Sequence, residues 1–290
     1  MNWTLIGILC ALWAFLSRGI GDFLIQRSTR KIGNWETLFV VAFSASIILL
    51  PFVYHDFDLI FSYKNILVLS AVAIIFFVMS LLNFESLKRG KISVVEPIFT
   101  LEIPIAIFLA FFFLQESISW PQGILMAIVM MGIVMISIQS HHFSKRSWLE
   151  AWVLLAVAAA IFEWASNFIV WFSARLNNPL LTIWFLSAVS AIVSFVYLMK
   201  SHSLKSLWQE ISLHKKLLTW LGLLDNAWRI FFAFAVSLIP IGIATSLSEW
   251  YIALASLLGF LINKEKLSLY QKIGFLITIV AVIILAVTQG

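Results

Sequence analysis

A chain of 290 residues that is 62% hydrophobic and 11% charged, with a mean hydropathy of +1.02, cannot fold as a water-soluble domain. Its net charge of +5 is spread over short loops with no stacking aromatics clustered among the basic residues, which excludes a nucleic-acid partner. The single cysteine, Cys10, excludes an intramolecular disulfide and a thiolate metal cluster.

Apolar runs of about 20 residues, each long enough to cross a hydrocarbon core of roughly 30 Å as a helix, follow one another along nearly the whole length. They predict ten helices near Asn2–Leu24, Asn34–Tyr54, Asn65–Leu87, Ile92–Leu114, Trp120–Gln139, Trp148–Ala174, Pro179–Met199, Leu217–Leu238, Ile241–Ile262 and Leu269–Thr288. A transmembrane barrel needs short strands of alternating polarity, and these unbroken runs exclude it. The first run lacks a basic leading region and a small-residue cleavage site and contains Arg18 and Asp22, so it reads as helix one and not as a cleaved leader. Between the seventh and eighth runs, Lys200 to Lys216 has room for a short interfacial helix, with no counterpart of equal length in the first half. The His141-His142 pair lies in the loop joining the halves with no further ligand at a usable spacing; it reads as a solvated linker, and no metal is expected.

The loops also report sidedness. Arg27, Arg30, Lys31, Lys88, Arg89, Lys91, Lys145, Arg146, Lys200, Lys205, Lys215, Lys216, Lys264, Lys266 and Lys272 fall on one face. Lys64 and Arg175 fall on the other, and Arg18 and Arg229 lie inside helices. Basic loops are retained in the cytoplasm, so the richer face is expected inside and both termini outside an inner or plasma membrane.

A degenerate repeat recurs at an offset of 149 residues. Gln115-Glu116-Ser117-Ile118-Ser119 aligns with Lys264-Glu265-Lys266-Leu267-Ser268, Gln122 with Gln271, Ala11–Ser17 with Ala160–Ser166, and Leu81–Ser93 with Ile230–Gly242. Each half has five crossings, an odd number, so the second must sit inverted relative to the first. The expected organisation is a first unit over 1–140, a connecting loop over 141–147 and a second unit over 148–290: an all-α integral membrane protein of ten helices in two inverted five-helix repeats.

The basic turn Lys88-Arg89-Gly90-Lys91, followed by Ser93, Glu96 and Pro97 and a long apolar helix closed by Leu114-Gln115-Glu116, resembles the EamA module of the drug/metabolite transporter superfamily. Pro240-Ile241-Gly242 through Lys264-Glu265 resembles the same module again. The resemblance implies a central substrate cavity lined by the first four helices of each half, with the fifth and tenth outside it supporting packing or dimer contact. It implies a small-molecule substrate in a lipid bilayer, a monomer or homodimer, and no cofactor, and leaves the cargo open, since members move amino acids, nucleotide sugars, quaternary amines and drugs.

Acidic residues inside apolar spans are the candidate site. Asp22, Glu85, Glu96, Glu102, Glu163, Asp225 and Glu249 would each cost about 2.5 to 3.5 kcal/mol ionised at a helix centre facing lipid, so each must face a cavity or a partner. Arg18 with Asp22, and Asp225 with Arg229, are spaced i to i+4 within ion-pair reach; the pairs either hold their helices or open to bind cargo or a proton. Glu102, Glu163 and Glu249 have no basic neighbour on their own helices, and a carboxyl so placed suits proton exchange. A hydrogen bond to a carbonyl freed beside Pro97 or Pro104 is the structural alternative. Glu85 is set aside because Lys88 and Arg89 are near.

At the 149-residue offset Glu163 replaces Ala14, Tyr251 replaces Glu102, Thr100 faces Glu249, and Asp225 and Arg229 replace Phe76 and Ser80, so the polar differences gather at the midplane. Trp3, Trp35, Trp120, Trp148, Trp208 and Trp220 read as interfacial anchors. Trp13, Trp164, Trp184, Trp228 and Trp250 lie deeper, and Trp13, Trp164, Trp250 and Tyr251 are expected to wall a cavity suited to an organic cation, packing between helices being the alternative. Pro97, Pro104 and Pro240 are expected to bend helices.

The function read from these residues is alternating-access, proton-coupled export of a small cationic or amphiphilic metabolite. Gradient-driven uptake or exchange of a zwitterion, such as an amino acid or choline-like amine, is the alternative. No histidine inside a span and no paired aspartate motif supports an intramembrane enzyme, so a non-enzyme is expected.

Overall fold

The computed structural model describes residues 3–61, 63–90, 92–99, 119–137, 151–176, 179–201, 204–254, 258 and 269–287, and every secondary-structure element among them is a helix. In chain order these are α1 (Trp3–Ile32), α2 (Asn34–Val53), a 3₁₀ turn (Tyr54–Leu59), α3 (Tyr63–Arg89), α4 (Ile92–Phe99), α5 (Trp120–Ser137), α6 (Ala151–Leu176), α7 (Pro179–Ser201), α8 (Leu204–Leu213), α9 (Lys215–Leu238), α10 (Ile241–Ser248) and α11 (Leu269–Val287). Trp3–Ile32, Asn34–Leu59, Asn65–Arg89, Leu180–Ser201 and Lys215–Leu238 are long and apolar enough to cross a membrane; Trp120–Met135, Leu154–Ser166 and Lys272–Ala281 are shorter apolar helices. Glu102, Pro104, Trp148, the His141-His142 pair and both ends of the repeated motif around Glu116 and Glu265 lie outside the described residues.

α1 shows how lipid as solvent inverts the usual amphipathic pattern. Leu5, Leu9, Trp13, Leu16 and Ile20, on one face at helical spacing, are exposed. Gly7, Ala11, Ala14, Arg18, Asp22 and Gln26 are buried. Apolar side chains cost nothing against acyl chains, whereas polar ones must find partners inside. The helix continues to Ile32, not to the predicted Leu24, because its polar tail is satisfied by α3. Gln26 Nε2 donates to the Leu87 and Gly90 carbonyls at 3.2 and 3.3 Å, and Arg30 donates to the Lys88 and Gly90 carbonyls at 3.1 and 2.7 Å. These carbonyls close the last turn of α3 and have no partner within it. Gly33, at φ 105°, then reverses the chain into α2, a conformation that L side chains rarely adopt.

The most extensive helix pairings are α1 with α9, α5 with α11, α2 with α7 and α3 with α6. Small residues let the backbones approach. A Cβ on Gly7 would lie 2.7 Å from the Ile239 side chain, and one on Gly132 would strike Thr278, whose hydroxyl donates to the Gly274 carbonyl. Ala156, Ala159 and Ala160 serve α6 in the same way, packing in a cluster with Phe84 and Leu87 of α3. Trp184 Nε1 ties α7 to the Ser46 carbonyl of α2 at 3.0 Å.

One expectation about proline is corrected. Pro240 does not bend a helix; it stands between α9 and α10, where the missing N–H suits a helix start. The proline inside a described spanning helix that was not foreseen is Pro51 of α2. Pro97 falls within α4. The predicted span Ile241–Ile262 is interrupted as well: α10 ends at Ser248, and Glu249-Trp250 form a turn before helix resumes at Tyr251. The stretch between α7 and α9 holds the short helix α8, on which Trp208 is exposed.

Candidate functional site

The site is organised by one guanidinium. Arg18, carried inward on the polar face of α1, is 6% exposed. Its Nη2 donates to Glu163 Oε1 at 2.6 Å and its Nη1 to Glu249 Oε1 at 2.9 Å. Asp22, one turn along α1, stands 3.8 Å from Nε. The guanidinium carbon lies 4.1 Å from the Tyr251 ring centroid and 4.6 Å from that of Trp228, within cation–π range of both.

Local structure brings each partner in. The small-residue stripe Ala156, Ala159, Ala160, Glu163, Ser166 recurs at helical spacing and is buried throughout, so Glu163 projects from the face that packs inward. Glu249 caps the C-terminal end of α10, where the helix breaks; without that break Glu249 and Tyr251 would not share the turn that meets Arg18. Trp228 is held on α9 by its Nε1, which donates to Asp225 Oδ1 at 3.2 Å.

A second charged pair adjoins the first. Arg229 Nε donates to Asp225 Oδ2 at 3.0 Å within α9, and its guanidinium lies 4.8 Å from the Phe76 ring and 5.0 Å from that of Trp228. Two narrow cavities meet here. One is bordered by Arg18, Asp22, Ser80, Asn83, Glu163 and Asp225, the other by Phe76, Ser166, Ile183, Ser187 and Phe232, and both by Trp228 and Arg229. In this conformation they have room only for water-sized occupants. Glu163 Oε2 and the Ser166 hydroxyl are buried without a hydrogen-bond partner, each on a residue bordering one cavity.

Several expectations change against this geometry. Glu163 and Glu249 are not lone carboxylates: both pair with Arg18, a cation from a different helix. Asp22 is the loosest of the three contacts to Arg18, although the i to i+4 spacing singled it out. Asp225 and Arg229 pair as the spacing predicts. Trp13 does not wall a cavity; it is 56% exposed and stacks on Phe231 at the outer surface. Trp164 and Trp250 are half-buried and border neither cavity, Trp250 packing on Phe15 at 4.7 Å between centroids. Glu85 is taken up by Arg89 and Asn34. Glu102 is outside the described residues. Trp228, which joins both guanidinium groups, was noted in the sequence only as deep; its position three residues after Asp225 was the signal that could have found it.

Comparison with known proteins agrees with this arrangement at the level of family and fold. The model of the EamA-like transporter family matches residues 5–138. This part of the chain is similar to an EamA module. The resemblance carried by Lys88-Arg89-Gly90-Lys91 is thus borne out over these residues, and the apolar helices make the chain a multi-pass membrane protein. An uncharacterized protein of Methanocaldococcus jannaschii is similar, 26% identical over 148 residues that cover 96% of that protein and 47% of this one. A solved crystal structure matches over 99% of this chain and 98% of its own with a TM-score of 0.66 and 14% identity, which shows a shared fold extending beyond the EamA module to the second half.

Proposed function

We propose that the chain is an alternating-access carrier of the drug/metabolite type that couples export of a small cationic or amphiphilic metabolite to protons. The observation that carries the reading is the gathering of Asp22, Glu163 and Asp225 with only Arg18 and Arg229 around two adjoining cavities, and of Glu249 on Arg18, among the described residues. A membrane protein gains little stability from buried charge, and carboxylates outnumbering arginines beside aromatic faces favour a cation. A cation and a proton compete for the same carboxylate. A carrier that binds them in alternation therefore returns protons as it moves cargo.

In this reading residues 1–140 and 148–290 are inverted five-helix repeats of a ten-helix fold, joined by 141–147. Support comes from the helix pairings. Exchanging the halves turns the α1–α9 pair into α6–α3 and maps α2–α7 and α5–α11 onto themselves, as a pseudo-two-fold requires. A relative matched over 96% of its length by 47% of this chain supports the same unit. The loop charges favour both termini outside the cytoplasm.

Flux of labelled quaternary amines and amino acids in proteoliposomes, with and without an imposed pH gradient, tests the coupling. The expected outcome is accumulation driven by the gradient in the wild type and loss of that drive in Glu163→Gln. Flux that follows the cargo gradient alone in both proteins would instead support the second reading, uptake or exchange of a zwitterion, which Arg229 at the cavity favours by offering a cation to a carboxylate.

A further inference from the structure

We infer that the cage around the Arg18 head group is itself a binding site for guanidinium-class cations, with Arg18 as its built-in occupant, so that a free planar cation enters by displacing the side chain. Only the statement that such a cation is cargo rests on the carrier reading above.

The cage has the chemistry of a guanidinium receptor. Glu163 and Glu249 take different terminal nitrogens, at 2.6 and 2.9 Å, and Trp228 and Tyr251 offer ring faces at 4.6 and 4.1 Å. Carboxylates on the edge and aromatic rings within cation–π distance are the groups that a flat, delocalised cation uses, and a spherical ammonium uses them less completely. All four come from residues 163 to 251, whereas Arg18 comes from α1, with Asp22 one turn along. The receptor therefore remains if the arginine leaves. A displaced side chain has a direction to move in, because Arg18 also borders the water-sized cavity that Ser80 and Asn83 line, and it must widen that cavity as it leaves. Finally, Glu163 Oε2 is buried at that cavity with no hydrogen-bond partner, so the carboxylate that binds Arg18 through Oε1 keeps one oxygen open to an incoming N–H donor.

A tethered group competes at an effective concentration of about millimolar or above, so the resident guanidinium masks the site in the wild type. Removing it should unmask the site. The experiment is a titration of full-length protein in lipid nanodiscs with methylguanidinium chloride, read by thermal unfolding and by displacement of labelled methylguanidinium, comparing wild type with Arg18→Ala. The expected result is binding roughly tenfold or more tighter in Arg18→Ala, with a saturable rise in its Tm. Sodium chloride and the neutral isostere urea should not reproduce that rise, and adding Glu163→Gln should abolish it. Binding no tighter than in the wild type, or an equal rise with urea, overturns the proposal. Should Arg18→Ala fail to fold, Arg18→Lys keeps the charge but not the planar head, and the same tightening decides between the outcomes. Flux assays separate the two readings. Methylguanidinium that binds Arg18→Ala while no panel cargo crosses the membrane in either protein leaves the site standing and removes the carrier. Panel cargo that crosses in the wild type while methylguanidinium leaves Arg18→Ala unchanged keeps the carrier and removes the site.

Discussion

Arg18, buried, and Arg229, part-buried, are cations beside the same tryptophan, yet they are held in different ways. Arg229 is paired within one turn of its own helix, with Asp225 four residues back, and its side chain is 16% exposed. Arg18 is held by groups 145 and 231 residues away, so its contacts tie α1 to α6 and to the turn after α10. A pair within one helix travels with that helix whatever the bundle does. A pair across helices must break if those helices separate, and only the second kind can report or resist the opening of a central cavity.

The largest expected effect follows from that difference. Arg18→Ala takes the guanidinium from two buried glutamates and should cost about 3–5 kcal/mol, as removal of one partner of a buried ion pair does. Arg229→Ala should cost about 1–3 kcal/mol, since Asp225 keeps the Trp228 N–H. Thermal unfolding in nanodiscs measures both, and equal losses would break the comparison.

The next prediction sharpens it. Replacing the close set together, Arg18→Met with Glu163→Gln and Glu249→Gln, removes the guanidinium and both glutamates it binds and forfeits only the looser 3.8 Å contact to Asp22, so stability should return to within about 1–2 kcal/mol of the wild type while flux stays lost. A stable triple variant that still transports would make the network a purely structural tie.

How much of this could be read from the sequence depends on the range of the contact. Helix positions come from apolar runs, and the Asp225–Arg229 pair comes from spacing, because both are local. The Arg18–Glu163 and Arg18–Glu249 pairs join distant segments, and no periodicity encodes them. The repeat comes closest: its polar differences at Glu163, Glu249 and Tyr251 picked out the residues that meet Arg18, without indicating that they meet it. The end of α1 was misjudged for a related reason. Gln26 and Arg30 look like loop residues until the carbonyls of α3 stand opposite them. Trp13 was misplaced because apolar depth alone does not distinguish the lipid face from the cavity face; its spacing with Leu5, Leu9 and Leu16, all exposed, does.

A second comparison, between seams, sets a smaller effect. The α5–α11 seam packs Gly132 against Thr278 and Gly274, three uncharged residues. Gly132→Val should cost about 1–3 kcal/mol by overpacking. Because Gly132 meets Thr278 and Gly274 and borders neither cavity, the cargo concentration at half-maximal flux should not change. A shift in that concentration would tie the seam to the cavity.

The smallest effect tests the ring that both arginines share. Trp228→Phe keeps an aromatic face near Arg18 and Arg229 but removes the N–H that Asp225 accepts, and loss of such a bond costs about 0.5–1.5 kcal/mol. Trp228→Leu removes the face as well, so any further loss beyond Trp228→Phe measures what the two guanidinium groups gain from it, in the range of about 0.5–2 kcal/mol. Repeating the pair of substitutions in Arg18→Lys divides that gain. If the difference between Phe and Leu shrinks, the ring serves Arg18, the contact that must break on opening. If it does not, the ring serves Arg229, and Tyr251 alone provides the aromatic face for the Arg18 cage.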